Sequence, residues 1–135
     1  MEILKSGPHR YPVRALLISI LLLFAQSAKG EDVVSADLSK LRAFTSEFAI
    51  KSGRSFEVCT DLEKGTKIDW WYSSSQNLDF NIHHHVRDKA VYALRKREMA
   101  TDEGGFVAAS KQNYCWMWTN KTAKGAELSV KLLVR

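Results

Sequence analysis

The sequence predicts an all-β fold, an antiparallel β-sandwich of about eight strands. Apolar and polar residues alternate with period two in most segments after Phe56. Clusters of turn-forming residues interrupt that alternation every 8 to 12 residues or so, the spacing of a sandwich or barrel. Helical spacing appears in one short stretch only.

That stretch comes first. Glu31 to Ser35 is a polar leader, and from Ala36 to Phe48 the residues Leu38, Leu41, Phe44 and Phe48 recur at helical spacing. The pattern predicts a short amphipathic helix with Ser35 or Asp37 as cap. Phe44, Phe48 and Ile50 equally fit the start of a first strand. Lys51-Ser52-Gly53 is a turn by composition. Phe56, Val58, Thr60 and Leu62 then alternate with Glu57, Cys59 and Asp61, as in a half-buried strand. After Lys64-Gly65, the segment Thr66 to Ser73 puts Ile68, Trp70 and Tyr72 on one face and Asp69 and Trp71 on the other.

Ser74 to Asn77 is expected to turn the chain into Leu78, Phe80 and Ile82, which alternate with Asp79, Asn81 and His83. Arg87-Asp88 makes a tight hairpin into Ala90 to Leu94. Thr101 to Gly105 is expected as a loop before a short strand from Phe106 to Ala109. Asn113 to Thr119 is the most aromatic strand, Asn120 to Gly125 its turn, and Glu127 to Val134 the last strand.

The first thirty residues have a different character. Lys5, Arg10 and Arg14 precede an eleven-residue apolar run from Ala15 to Ala25. A spanning helix needs about 20 apolar residues, whereas a basic start, a short apolar run and small residues after it describe a secretory signal peptide. Ala28-Lys29-Gly30 predicts cleavage before Glu31, and Ala25-Gln26-Ser27 predicts cleavage before Ala28. The expected organisation is a signal peptide over 1–30, a leader with the short helix over 31–47, and the sandwich over 48–135. No stable membrane anchor is expected once the signal is removed, and the expected location is periplasmic or secreted.

Removal of that segment also changes the electrostatics. The full chain has 20 basic and 15 acidic residues; the first thirty hold four basic and one acidic, so 16 and 14 remain, net +2. So small an excess removes the main support for a nucleic-acid partner. Arg95-Lys96-Arg97 is the only dense basic run and reads as a solvated strand end. Cys59 and Cys115 are the only cysteines. In an exported chain they are expected to pair, closing a long loop worth about 3–4 kcal/mol in the chain-entropy model.

Two segments carry a family resemblance: Phe56-Glu57-Val58-Cys59-Thr60-Asp61-Leu62-Glu63-Lys64-Gly65-Thr66-Lys67-Ile68, and Tyr114-Cys115-Trp116-Met117-Trp118-Thr119-Asn120. Together they resemble the GOLD (Golgi dynamics) domain, the lumenal β-sandwich of cargo receptors of the early secretory pathway. The match is in the order of an early Cys, a Gly-Thr turn and a late Tyr-Cys strand, and it spans about Phe48 to Val134. Leu78-Asp79-Phe80-Asn81-Ile82 fits a further strand. The resemblance implies a β-sandwich with Cys59 bridged to Cys115. The coiled coil, membrane helix and coat-binding tail of those receptors have no counterpart after Arg135, so a freestanding soluble relative is expected and cargo sorting is not carried over.

Candidate chemistry is sparse. His83 and His85 share one strand face and His84 takes the other. An i, i+2 imidazole pair is a start for Zn or Cu, and His84, Asp79 and Asp88 are the donors near in sequence. The set is short of the ligand count a closed site requires, so a metal-binding protein using His83 and His85 is the alternative reading. A blue-copper site needs a His after Cys115, and none follows. No Gly-x-Ser-x-Gly elbow occurs, and Cys115 would be consumed by the expected bridge.

Four Trp remain for a thin core. If Trp70 points inward, Trp71 points outward with Asp69 and Ser73, as a recognition residue would. Asn120-Lys121-Thr122 is a glycosylation sequon. The sequence thus reads as a non-enzymatic binding module for a protein or small ligand, with no cofactor.

Overall fold

The computed structural model describes residues 31–135, so the signal-peptide expectation lies outside the described residues. The fold is all-β, with seven strands and no helix among the described residues. They are β1 (Glu31–Ser35), β2 (Ala43–Ile50), β3 (Ser55–Leu62), β4 (Lys67–Val86), β5 (Lys89–Val107), β6 (Gln112–Thr119) and β7 (Ala126–Val134). The hydrogen-bonded order is β1-β3-β6-β4-β7-β2, with β5 along the other edge of β4. All pairings are antiparallel except that of β1 with β3.

The long β4–β5 hairpin generates the two layers. The first part of β4, Ile68 to Ser74, pairs with β7, and β7 pairs with β2. The second part, Asp79 to His84, pairs with β6, and β6 pairs with β3. Register shifts between Ser73 and Leu78, and again before Phe80, bend the hairpin between these parts. Bulges bend a strand without ending it. The sheet therefore curls on itself, and residues of both layers share one core. Tyr72 meets Trp118 edge-on at 5.6 Å, Phe48 stacks on Phe56 at 3.9 Å, and Phe106 meets Trp116 edge-on at 5.5 Å.

Three local expectations change. Residues 36–48 form no helix. Asp37 to Lys40 is a turn, in which the Leu41 N–H donates to the Asp37 carbonyl (3.0 Å), and the chain enters β2 at Ala43. The four-residue spacing of Phe44 and Phe48 suits a helix turn and two strand repeats alike. The pairing of Phe44 with Leu132 and of Phe48 with Leu128 decides for the strand. The polar leader is likewise strand β1, so the sheet begins at Glu31 rather than near 48. Ser74 to Asn77 and Thr101 to Gly105, read as a turn and a loop, lie inside β4 and β5; these two mergers remove two of the eight expected strands and β1 adds one, leaving seven.

Gly104 shows why that glycine-containing stretch is strand. A Cβ there would sit 2.7 Å from the Trp70 ring. The glycine lets the indole lie flat against β5, a close backbone approach rather than a break. The Arg87-Asp88 hairpin forms as expected, with Arg87 in the left-handed region (φ 55°).

Asn120 is fully buried. Its amide donates to the Ile50 carbonyl (3.0 Å) and the Lys124 carbonyl (2.7 Å). Its Oδ1 accepts from the Thr122 N–H and hydroxyl (3.0 and 2.7 Å). The sequon is thus an Asx turn whose amide nitrogen is closed to glycosyl transfer in the folded domain. Among the described residues no helix is long and apolar enough to cross a membrane.

Candidate functional site

The Cys59–Cys115 disulfide is present and joins directly opposed residues of β3 and β6, with Cα atoms 4.0 Å apart. It is the bond expected of an exported protein, periplasmic or secreted.

Strand parity sets the exposed face of the β2-β7-β4-β5 layer. Ile68, Trp70 and Tyr72 point into the core, and Trp71 points out with 41% of its surface exposed against 4% for Trp70. Trp71 is flanked by Glu103 on β5 and Lys131 on β7. The next row of the same face holds Gly105, Asp69 and Leu133, with Leu133 also exposed. Arg135 closes this row through an ion pair from Nε to Asp69 (2.7 Å). The result is an open depression of about 530 Å³, lined by Trp71, Leu133, Lys131, Glu103, Asp69, Gly104 and the edge of Trp70. An indole and an isobutyl group thus lie between charges of both signs. The β4 parity was legible in the sequence; Leu133 and Lys131 join the face only through the β4–β7 pairing, to which no local pattern points.

The histidines divide between surfaces. His84 is half-buried and meets Tyr114 edge-on at 5.2 Å. His83 and His85 share the opposite face with ring centroids 5.0 Å apart; His85 is exposed and His83 buried. His83 lies directly opposite Cys115 on β6. Its Nδ1 is hydrogen-bonded to Asn81 Oδ1 (2.8 Å), and its Nε2 faces Glu57 Oε2 at 3.6 Å. The donor atoms of Glu57, His83 and Cys115 all lie within 4.8 Å of one another. The convergence is therefore around His83, and neither His85 nor the sequence neighbours Asp79 and Asp88 belongs to it. Glu57 was missed. Its only local signal is that it shares a β3 face with Cys59.

Burial sets the charge of this pair. It pushes the Glu57 carboxyl from an ordinary 4.5 up to about 7, with the charge of Glu31 and a hydrogen bond to it adding to the effect. It pushes His83 from 6.5 down to about 4, with His85 and His84 adding repulsion. Between those two values the folded pair is a carboxylic acid beside a neutral imidazole, not an ion pair.

The linkage has opposite signs for the two groups. From pH 4.5 to 7 the unfolded chain has lost the Glu57 proton that the folded chain keeps, so stability falls as pH rises. From pH 6.5 down to 4 the unfolded chain has gained a His83 proton that the folded chain refuses, so stability falls as pH falls. In the shared window, pH 4.5 to 6.5, the two slopes offset each other. Glu57→Gln should expose the histidine slope. Relative to the parent, its urea-derived stability should be lower at pH 4.5 than at 6.5 by about 2 kcal/mol. His83→Gln should tilt the profile the other way. Parallel profiles for the parent and both variants would refute the assignment.

No family model and no curated protein matches the chain. Solved structures do. PliG of Aeromonas hydrophila, described as a periplasmic lysozyme inhibitor of g-type lysozyme, superposes with a TM-score of 0.65 at 11% identity, covering 80% of this chain and 100% of that one. PliG of Salmonella Typhimurium, with the same description, gives 0.53 at 15% identity, covering 77% and 98%. The pre-peptidase C-terminal domain of a Bacillus anthracis collagenase gives 0.50 at 15% identity, covering 76% and 96%. At such identities the likeness is one of fold.

Proposed function

We propose that this chain is an exported, non-enzymatic module that binds another protein through the sheet face centred on Trp71. The observation that carries this reading is the exposure of Trp71 beside Leu133 on a face ringed by Lys131, Glu103 and Asp69. Burying an indole is among the largest contributions a single residue makes to an interface. The depression is open to solvent rather than enclosed, and small-molecule sites enclose most of their ligand, so a protein fits better than a small ligand. The inhibitors that share the fold bind a g-type lysozyme, which makes a lysozyme of that type the first partner to test. Kinship with GOLD domains is a separate proposal resting on the Cys59 and Cys115 segments.

Immobilised domain is expected to capture a g-type lysozyme and slow its hydrolysis of peptidoglycan. Trp71→Ala should weaken capture by about 30-fold, equivalent to roughly 2 kcal/mol, with the urea midpoint unchanged. Capture that is unaffected by Trp71→Ala would remove this face from the interface. A domain that ignores the lysozyme altogether would remove that partner.

A further inference from the structure

We propose that Glu57, His83, Cys59 and Cys115 form a zinc site that the disulfide keeps closed and that reduction by a dithiol opens. The protein-binding face makes no use of this cluster, which lies on the outward side of the other layer. Burying a carboxyl and an imidazole there is costly unless something pairs with them.

The donor atoms of Glu57, His83 and Cys115 already converge. The hydrogen bond from His83 Nδ1 to Asn81 Oδ1 (2.8 Å) requires the proton on Nδ1, which leaves the Nε2 lone pair directed at Glu57. A second partner that fixes the ring and its tautomer is what metal-binding histidines have. Glu57 Oε2 is buried with no hydrogen-bond partner. At 3.6 Å it stands too far from Nε2 for a hydrogen bond. Nitrogen and oxygen ligands about 2.0–2.1 Å from a tetrahedral zinc lie roughly 3.3–3.4 Å apart, so a small movement would close the pair on an ion.

Sulfur completes the set. Cys115 Sγ lies within 4.8 Å of both donors; Cys59 is outside that three-donor set while the bond is intact, and stands directly across from Cys115, from where its freed thiolate would turn in as the fourth ligand. In the reduction, the S–S bond breaks and each sulfur gains an electron and a proton, while the dithiol loses two electrons and two protons and becomes a disulfide. Zinc then displaces the thiol protons to solvent and takes two thiolates, one imidazole and one carboxylate. That mixed soft and intermediate donor set suits zinc. All four ligands stand on β3, β4 and β6, neighbouring strands of one sheet. The metal would cross-link the strands that the disulfide joins and add β4 to them.

The test uses the folded domain, a phosphine reductant removed under anaerobic conditions, and Co²⁺ as a spectroscopic stand-in for zinc. The disulfide form should show no thiolate-to-cobalt charge-transfer band. The reduced form should gain one with a single equivalent of Co²⁺ and lose it to zinc. His83→Ala and Glu57→Gln should each weaken Co²⁺ binding at least 10-fold, and Asn81→Ala about 10-fold. Cys59→Ser, which leaves Cys115 free without any reductant, should show the band at about half intensity, one thiolate in place of two. If reduction unfolds the domain, zinc should restore the far-ultraviolet β signal in the parent and not in His83→Ala. No band in the reduced parent, a band equally strong in His83→Ala, or zinc that fails to refold the reduced chain would overturn the proposal.

Discussion

Trp70→Ala is expected to lower the stability of the domain by about 3–5 kcal/mol, read from urea unfolding, while Trp71→Ala costs less than about 1 kcal/mol. The two residues are adjacent in sequence and differ only in parity on β4. Trp70 is 4% exposed. Its ring lies 4.8 Å from that of Phe80 and 6.3 Å from that of Tyr72, centroid to centroid. The Lys96 ammonium lies 5.5 Å from its centre, and Gly104 is shaped to admit it. Its indole N–H has no hydrogen-bond partner, so the loss would be one of packing and a residual cavity. The surrounding rings belong to both layers and cannot collapse into the gap without straining the bent hairpin. Equal costs for the two substitutions, or a larger one for Trp71→Ala, would show that the inward face of β4 has been misassigned.

Cys115→Ser should lower stability by about 2–5 kcal/mol and leave the far-ultraviolet β signal in place. The bridge closes a loop of 56 residues, for which the chain-entropy model gives about 4 kcal/mol at room temperature. In the folded state the bond adds little that is new, because β3 and β6 are already paired on both sides of it, from Ser55 with Thr119 to Leu62 with Gln112. Most of its effect is therefore on the unfolded chain, which loses the freedom to separate the two strands. Chemical reduction of the parent should reproduce the loss. A loss below about 1 kcal/mol would mean that the unfolded chain retains the β3–β6 contact without the bond.

The sequence by itself determined the fold class, the inward and outward faces of most strands, the disulfide and the exposure of Trp71. Each of these depends on local alternation or, for the disulfide, on there being only two cysteines. Tertiary structure decided the rest. Phe44 and Phe48, spaced four apart, satisfy both a helix and a strand, and only Leu128 and Leu132 of β7 show which one the chain adopts. The serines after Tyr72 and the glycines after Glu103 look like turns, because small polar residues serve a bend within a strand as readily as a reversal between strands. Glu57 and His83 carry no mutual signal in a chain where 26 positions separate them. They meet because β6 lies between β3 and β4 and pairs with both. Register across a sheet is set by the packing of the whole core, and so a site assembled from three strands appears only when the strands are in place.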